Sequence, residues 1–156
     1  MKLLKFDNFF ESKSDIVNFC SMYLSYLKDI CDFELSITEH DDSTYLVGIK
    51  FRDPEFIKYT GSDRDKLSNK NKITWDNIKD DFIPFIQVLD KKFTIKGIYS
   101  YDKPSVHFKC IKNSSNKISD YYITHYTIDE LVRDVKLPRI GPGARLMCIS
   151  TYINKK

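Results

Sequence analysis

A chain of 156 residues is the usual size of one domain, and at that length about 68–70% of the unfolded surface can be buried. With 42% apolar and 14% aromatic side chains it is not a disordered chain. The 25 basic and 22 acidic residues leave a net charge of +3, which excludes a polyelectrolyte that coats nucleic acid and confines any basic site to a local patch.

The first thirteen residues read as a separate N-terminal segment. Lys2, Lys5, Asp7 and Glu11 interrupt it where a signal peptide would hold its apolar core. Nowhere does the sequence approach the ~18 consecutive apolar residues that span a bilayer. The expectation is a protein neither secreted by that route nor membrane-spanning.

In "SKSDIVNFCSMYLSYLKDICD" the apolar positions Ile16, Phe19, Cys20, Tyr23, Leu27 and Ile30 recur at steps of three and four, which predicts an amphipathic helix with Ser14 as its N-cap. "FELSITE" then alternates Phe33, Leu35 and Ile37 to one side. After "HDDS" comes "TYLVGIKF", so two strands joined by a tight turn are expected to form a hairpin. Residues 52–73 are polar, rich in both charge signs and without period, and read as a long loop.

"TWDNIKDDFIPFIQVLDKKF" places Ile78, Phe82, Phe85, Ile86 and Leu89 on one helical face, with Pro84 expected to kink the helix or mark its restart. "FTIKGIYSY" and "PSVHFKCI" follow as a second expected strand pair. Helix, strand, strand therefore occurs twice. The fold expected is α+β: two αββ units over 14–112 forming a four-stranded antiparallel sheet with two helices on one face, a permuted ferredoxin-like plan.

Residues 113–156 read as an extension of helix, turn and strand packing on the same domain. Thr127 and Glu130 form a capping box ahead of "IDELV". Pro138 ends that helix, and "ARLMCISTYI" is the last strand.

Between the two lies "RIGPGARL". A phosphate loop would need amides turned inward at the start of a helix, whereas here the helix ends before the loop, and neither the P-loop nor the dinucleotide pattern is present. A rigid Gly-Pro-Gly turn is one reading. The other is an anion, nucleic-acid or partner contact through Arg133, Lys136, Arg139, Gly141, Gly143 and Arg145, because from Arg133 to Lys156 six cations face the single acid Asp134.

Other chemistries find less to work with. Cys20, Cys31, Cys110 and Cys148 lie in apolar periodic segments and read as buried free thiols. His40, His107 and His125 are isolated, and "EHDD" at 39–42 sits where a turn wants Asp, so neither a metal nor any other cofactor is expected. His107 and Cys110 should face opposite sides of a strand, and no catalytic residue is assigned. In "YYITHY" alternation sends Tyr121 and Ile123 to one face and Tyr122 to the other, so the aromatics divide between core packing and possible base stacking. Trp75 reads as a staple onto the sheet.

The opening "MKLLKFDNFFESKSD" resembles the N-termini of small uncharacterised virion-associated and accessory proteins of large tailed bacteriophages. Its "FFES" is similar to the site cut by prohead proteases of such phages, with Phe9 where Leu or Ile is favoured and the cut after Glu11. The segment "WDNIKDDFIPFIQVL" is similar to helices of such proteins. The resemblance implies a non-enzymatic structural or interaction protein, in the virion or the host bacterial cytoplasm, with virion proteins as partners. The alternatives are a nucleic-acid-binding module using the basic C-terminal region and a small hydrolase in which His107 or His125 meets a carboxylate.

Overall fold

The computed structural model describes residues 12–52, 72–97, 103–112, 121–133, 136–141 and 143–155. The residues expected to form the N-terminal segment up to Glu11, and nearly all of the charged loop, lie outside them.

Helix α1 spans Lys13–Tyr23. Its N-cap is Ser12, two residues earlier than the sequence suggests. The Ser12 hydroxyl accepts from the Asp15 amide at 3.3 Å while the Asp15 carboxylate accepts from the Ser12 amide at 3.2 Å, a reciprocal box that Ser14 has no acid to complete. Beyond Tyr23 the chain tightens into a 3-10 turn, Ser25–Asp29. The change from 3.6 to about 3.0 residues per turn breaks the expected apolar stripe. Leu24 and Leu27 turn inward, while Ile30 is left 44% exposed.

Strands β1 (Phe33–Glu39) and β2 (Thr44–Phe51) form the expected antiparallel hairpin, with Phe33 opposite Phe51 and Glu39 opposite Tyr45. The turn between them is closed by Asp41, whose Oδ1 accepts from the amides of Ser43 at 3.0 Å and Thr44 at 2.8 Å.

Helix α2 runs from Trp75 to Lys92 without restarting at Pro84. Pro84 and Asp80 are both exposed, so the carbonyl that loses its N–H partner lies on the hydrated side of the helix. Trp75, Ile78, Phe82, Phe85, Ile86 and Leu89 are buried, the expected face with the expected Trp75 staple.

The sheet departs from the expected plan at β3 (Phe93–Lys96) and β4 (Ser105–Ile111). These two strands do not pair with each other. Both lie along the same edge of the last strand, β6 (Arg145–Lys155): β3 is opposite Tyr152 to Lys155, and β4 is opposite Arg145 to Ser150. The break between them falls at Thr151, whose hydroxyl donates to the Ser105 carbonyl at 2.9 Å.

Strand β5 (Tyr121–Thr127) pairs with β4 on its outer side, and short helix α3 (Ile128–Arg133) follows it. The result is a six-stranded antiparallel α+β sheet in the order β1-β2-β6-β4-β5, with β3 also on β6. The four-stranded ferredoxin-like arrangement is replaced because β6 is eleven residues long. One edge of β6 takes β2, and the backbone groups of the other are satisfied only by two shorter strands in series.

Alternation gives the sheet two unlike faces. Val47, Ile49, Ile149, Ile153, Phe93, Ile95, Val106, Phe108 and Tyr126 point to the side where the helices lie. The buried side chains of all three helices belong to that same cluster. Phe108 is at its centre, edge-on to Trp75 at 5.5 Å, Phe82 at 6.3 Å and Tyr126 at 5.8 Å. At the other end Phe19 of α1 meets Phe93 at 5.9 Å.

Truncating the central ring should therefore loosen α2 and β5 together. Phe108→Ala is expected to lower stability by about 3–5 kcal/mol. Urea unfolding followed by far-UV circular dichroism would show this as a lower midpoint at unchanged slope.

Candidate functional site

The basic turn was the sequence's strongest candidate, and the structure divides it. Thr127 and Glu130 make the expected capping box: the Thr127 amide donates to Glu130 Oε2 at 2.9 Å and the Glu130 amide to Thr127 Oγ1 at 3.2 Å. The same carboxylate oxygen accepts from Arg139 at 3.2 Å. The Thr127 amide first, and Arg139 beside it, hold the Glu130 carboxyl below the usual carboxylate range.

Arg139 has further partners on the protein itself. Its guanidinium donates to the His125 carbonyl at 2.7 Å and lies 4.2 Å above the Tyr126 ring. Its backbone amide and that of Ile140 donate to the Tyr126 hydroxyl at 2.7 and 3.2 Å, and the Tyr122 hydroxyl donates to the Ile140 carbonyl. The amides of Arg139 and Ile140 are thus engaged by a tyrosine of the core.

The rest of the turn is shaped by backbone conformation. Gly141 and Gly143 have φ of 80° and 75°, values that favour glycine; a Cβ on Gly141 would meet no atom within 4 Å, so the demand there is conformational. Leu137 also has a positive φ, 42°, and is fully buried. Burial of its side chain offsets a backbone strain of about 1–2 kcal/mol.

Arg145 is 4% exposed at the start of β6, opposite Ile111, and burial lowers its pKa. It is not presented to a ligand. Lys136 is exposed, and exposed Arg133 lines an open cleft with Asp90, Lys103, Thr127, Asp129 and Glu130, where three carboxylates outnumber two cations. The structure therefore keeps Arg139, Gly141 and Gly143 together as a pinned turn and places Arg133, Lys136 and Arg145 in different surroundings.

Among the described residues no three His, Cys, Asp or Glu side chains gather as a metal site. Asp41 of "EHDD" serves the hairpin turn, and His40 packs on Tyr152 at 5.4 Å. All four cysteines are free thiols. Burial pushes Cys20 and Cys110 up to about 12 and Cys31 to about 11, so they stay protonated at neutral pH. Cys148, half-buried, is also raised by burial, against the pull of Lys109 and Lys50 on either side.

That last observation leads to the sheet face turned away from the helices. Three cross-strand rows cross it. Ser36, Gly48, Ser150, His107 and His125 form one; Glu34, Lys50, Cys148, Lys109 and Ile123 form the next; Thr38, Leu46, Tyr152 and Lys96 form a third.

His107 and His125 are stacked, ring centroids 5.6 Å apart, and burial followed by the neighbouring His125 lowers the His107 pKa. Lys109 Nζ lies 4.1 Å over the Tyr121 ring. Lys96 Nζ lies 2.7 Å from the Asn154 amide oxygen, once that amide is oriented to satisfy its neighbours. Tyr121 is 50% and Ile123 64% exposed.

The two candidate surfaces lie on opposite sides of the sheet. The turn is tied to Tyr122 and Tyr126, which point towards the helices, while the rows lie on the uncovered side. The residues of the rows follow individually from alternation within each strand. Their assembly does not, because it depends on β6 standing between β2 and β4.

No family model matches the chain, and comparison with curated proteins and with solved structures likewise finds no match. Nor is any helix among the described residues long and apolar enough to cross a membrane.

Removing the hydroxyl that holds the turn should release it. Tyr126→Phe takes away the acceptor of the Arg139 amide and one of the two acceptors of the Ile140 amide, which keeps the Leu137 carbonyl at 3.0 Å, and is expected to lower stability by about 1–3 kcal/mol. Hydrogen exchange of the Arg139 and Ile140 amides, compared between wild type and variant, should quicken there before it does in α2.

Proposed function

We propose that this chain is a non-enzymatic interaction protein that engages its partner through the open face of its sheet. The observation that carries the reading is the inequality of the two faces: one is buried beneath three helices, while the other presents half-buried and exposed Lys50, Lys96, Lys109, His107, His125 and Tyr152 in its cross-strand rows. A solvated face on an antiparallel sheet is ordinary; this one carries three lysines and two histidines among its short polar and apolar side chains. Here the one carboxylate in the three rows, Glu34, is held by Arg52 at 3.0 Å. The basic turn is the less suited surface, since Arg139 already has partners on the protein and Arg145 is buried.

The test is retention of a partner. Wild-type protein and a Lys50→Glu, Lys109→Glu variant are mixed with an extract of the natural source, and whatever is held in stoichiometric amount is identified. The sheet-face variant is expected to lose a partner that Arg133→Ala with Lys136→Ala retains. Equal recovery by all three would sink the reading.

The source is read as a large tailed bacteriophage and the protein as an accessory or virion component, with the N-terminal resemblance as support. A cut between Glu11 and Ser12 would leave the Ser12 hydroxyl in place as the cap of α1. Mass spectrometry of the protein recovered from virions is expected to give a chain beginning at Ser12; a chain retaining residues 1–11 would remove the processing reading.

A further inference from the structure

Cations and stacking groups are interleaved on the open face at the spacing set by the sheet. Lys50 and Lys109 flank Cys148 in one row, two strand separations apart, about 10 Å. One row along β6 come the stacked imidazoles of His107 and His125. One row further, Tyr152 stands beside Lys96. Flat rings and ammonium groups thus occur in each direction along the platform, and the one acid in the rows, Glu34, is paired with Arg52.

The charge of such a face selects against a protein partner. Interface cores are depleted of lysine, because its ammonium group is costly to desolvate. A polyanion gains by releasing counterions when lysines neutralise its phosphates. The rings select further. Base faces reach an aromatic or imidazole side chain only when the bases are unpaired and unstacked, and a broad sheet face offers no helix or narrow ribbon to enter a duplex groove.

We propose that the open face binds single-stranded nucleic acid, with Lys50, Lys96 and Lys109 on the phosphates and Tyr152, His107 and His125 against the bases. This rests on the reading that the open face is the working surface, and adds to it the chemical class of the partner.

Fluorescence anisotropy of labelled short oligouridine and oligothymidine against the full chain tests it. Binding is expected at low salt, with log K falling against log salt at a slope of about −2, the value for three neutralised phosphates on a single strand. A duplex of equal length should bind more weakly. Lys50→Ala with Lys109→Ala should flatten the slope, whereas Tyr152→Ala should weaken binding about tenfold at unchanged slope, the signature of a lost stacking contact. Arg133→Ala with Lys136→Ala should alter neither. Photo-crosslinking of a bromouridine oligonucleotide to the wild-type chain gives an answer independent of any variant's folding: adducts are expected on peptides of β4 or β6.

Absence of binding to both oligonucleotides at low salt would overturn the proposal. Binding indifferent to the lysine pair, or adducts confined to residues 133–141, would do the same. If the extract experiment shows a protein lost from the sheet-face variant while neither oligonucleotide binds, the working surface stands and the nucleic-acid partner falls. If the sheet-face variant keeps its partner, the surface itself is wrong.

Discussion

Eleven residues of β6 expose backbone donors and acceptors along two edges, and every group buried in the sheet needs a partner. On one edge β2 supplies them over seven paired positions, from Thr44 opposite Asn154 to Lys50 opposite Cys148. On the other no single strand does so. β3 and β4 divide the length, and Thr151 bridges the interval with its hydroxyl. In the sheet of the described residues the β1–β2 pair and the β4–β5 pair are joined by this strand, and β6 brings their apolar faces into one layer under the helices.

That layer also fixes which chemistry is available. Side chains that alternate inward from six strands meet Trp75, Phe82 and Phe19, and the thiols of Cys20 and Cys110 are drawn in with them and kept protonated. The turn at 136–141 is held to the same side by Tyr122 and Tyr126, so Arg139 acts on the protein's own carbonyl, carboxylate and ring. What remains outward is set by parity: the positions between the apolar ones, aligned into rows by register. A one-residue slip of β6 would exchange the two sets.

Much of this was legible in the residues. The 3.6 period of "WDNIKDDFIPFIQVL", the alternation of "FELSITE" and "TYLVGIKF" and the spacing of Thr127 and Glu130 are local patterns, and local geometry follows from them. The pairing of β3 and β4 was not, because the competing partner, β6, lies about forty to sixty residues further along the chain, and proximity in sequence favoured the wrong neighbour. Ser14 lost to Ser12 through the position of one acid, Asp15. For the site, the arginines and glycines of "RIGPGARL" advertised a ligand loop by composition alone. That Arg139 is engaged by Tyr126, Glu130 and the backbone of His125 required knowing that β5 runs beside the turn.

The central position of the last strand has a consequence for biosynthesis. Residues 145–155 are translated after every strand they join. Until they are made and paired, the two hairpins have no common neighbour, and the apolar sides of Ile49 and Phe108 are not joined in one layer. Closure of the sheet is therefore a late event for the nascent polypeptide, and until then its unpaired edges and uncovered apolar faces are open to aggregation.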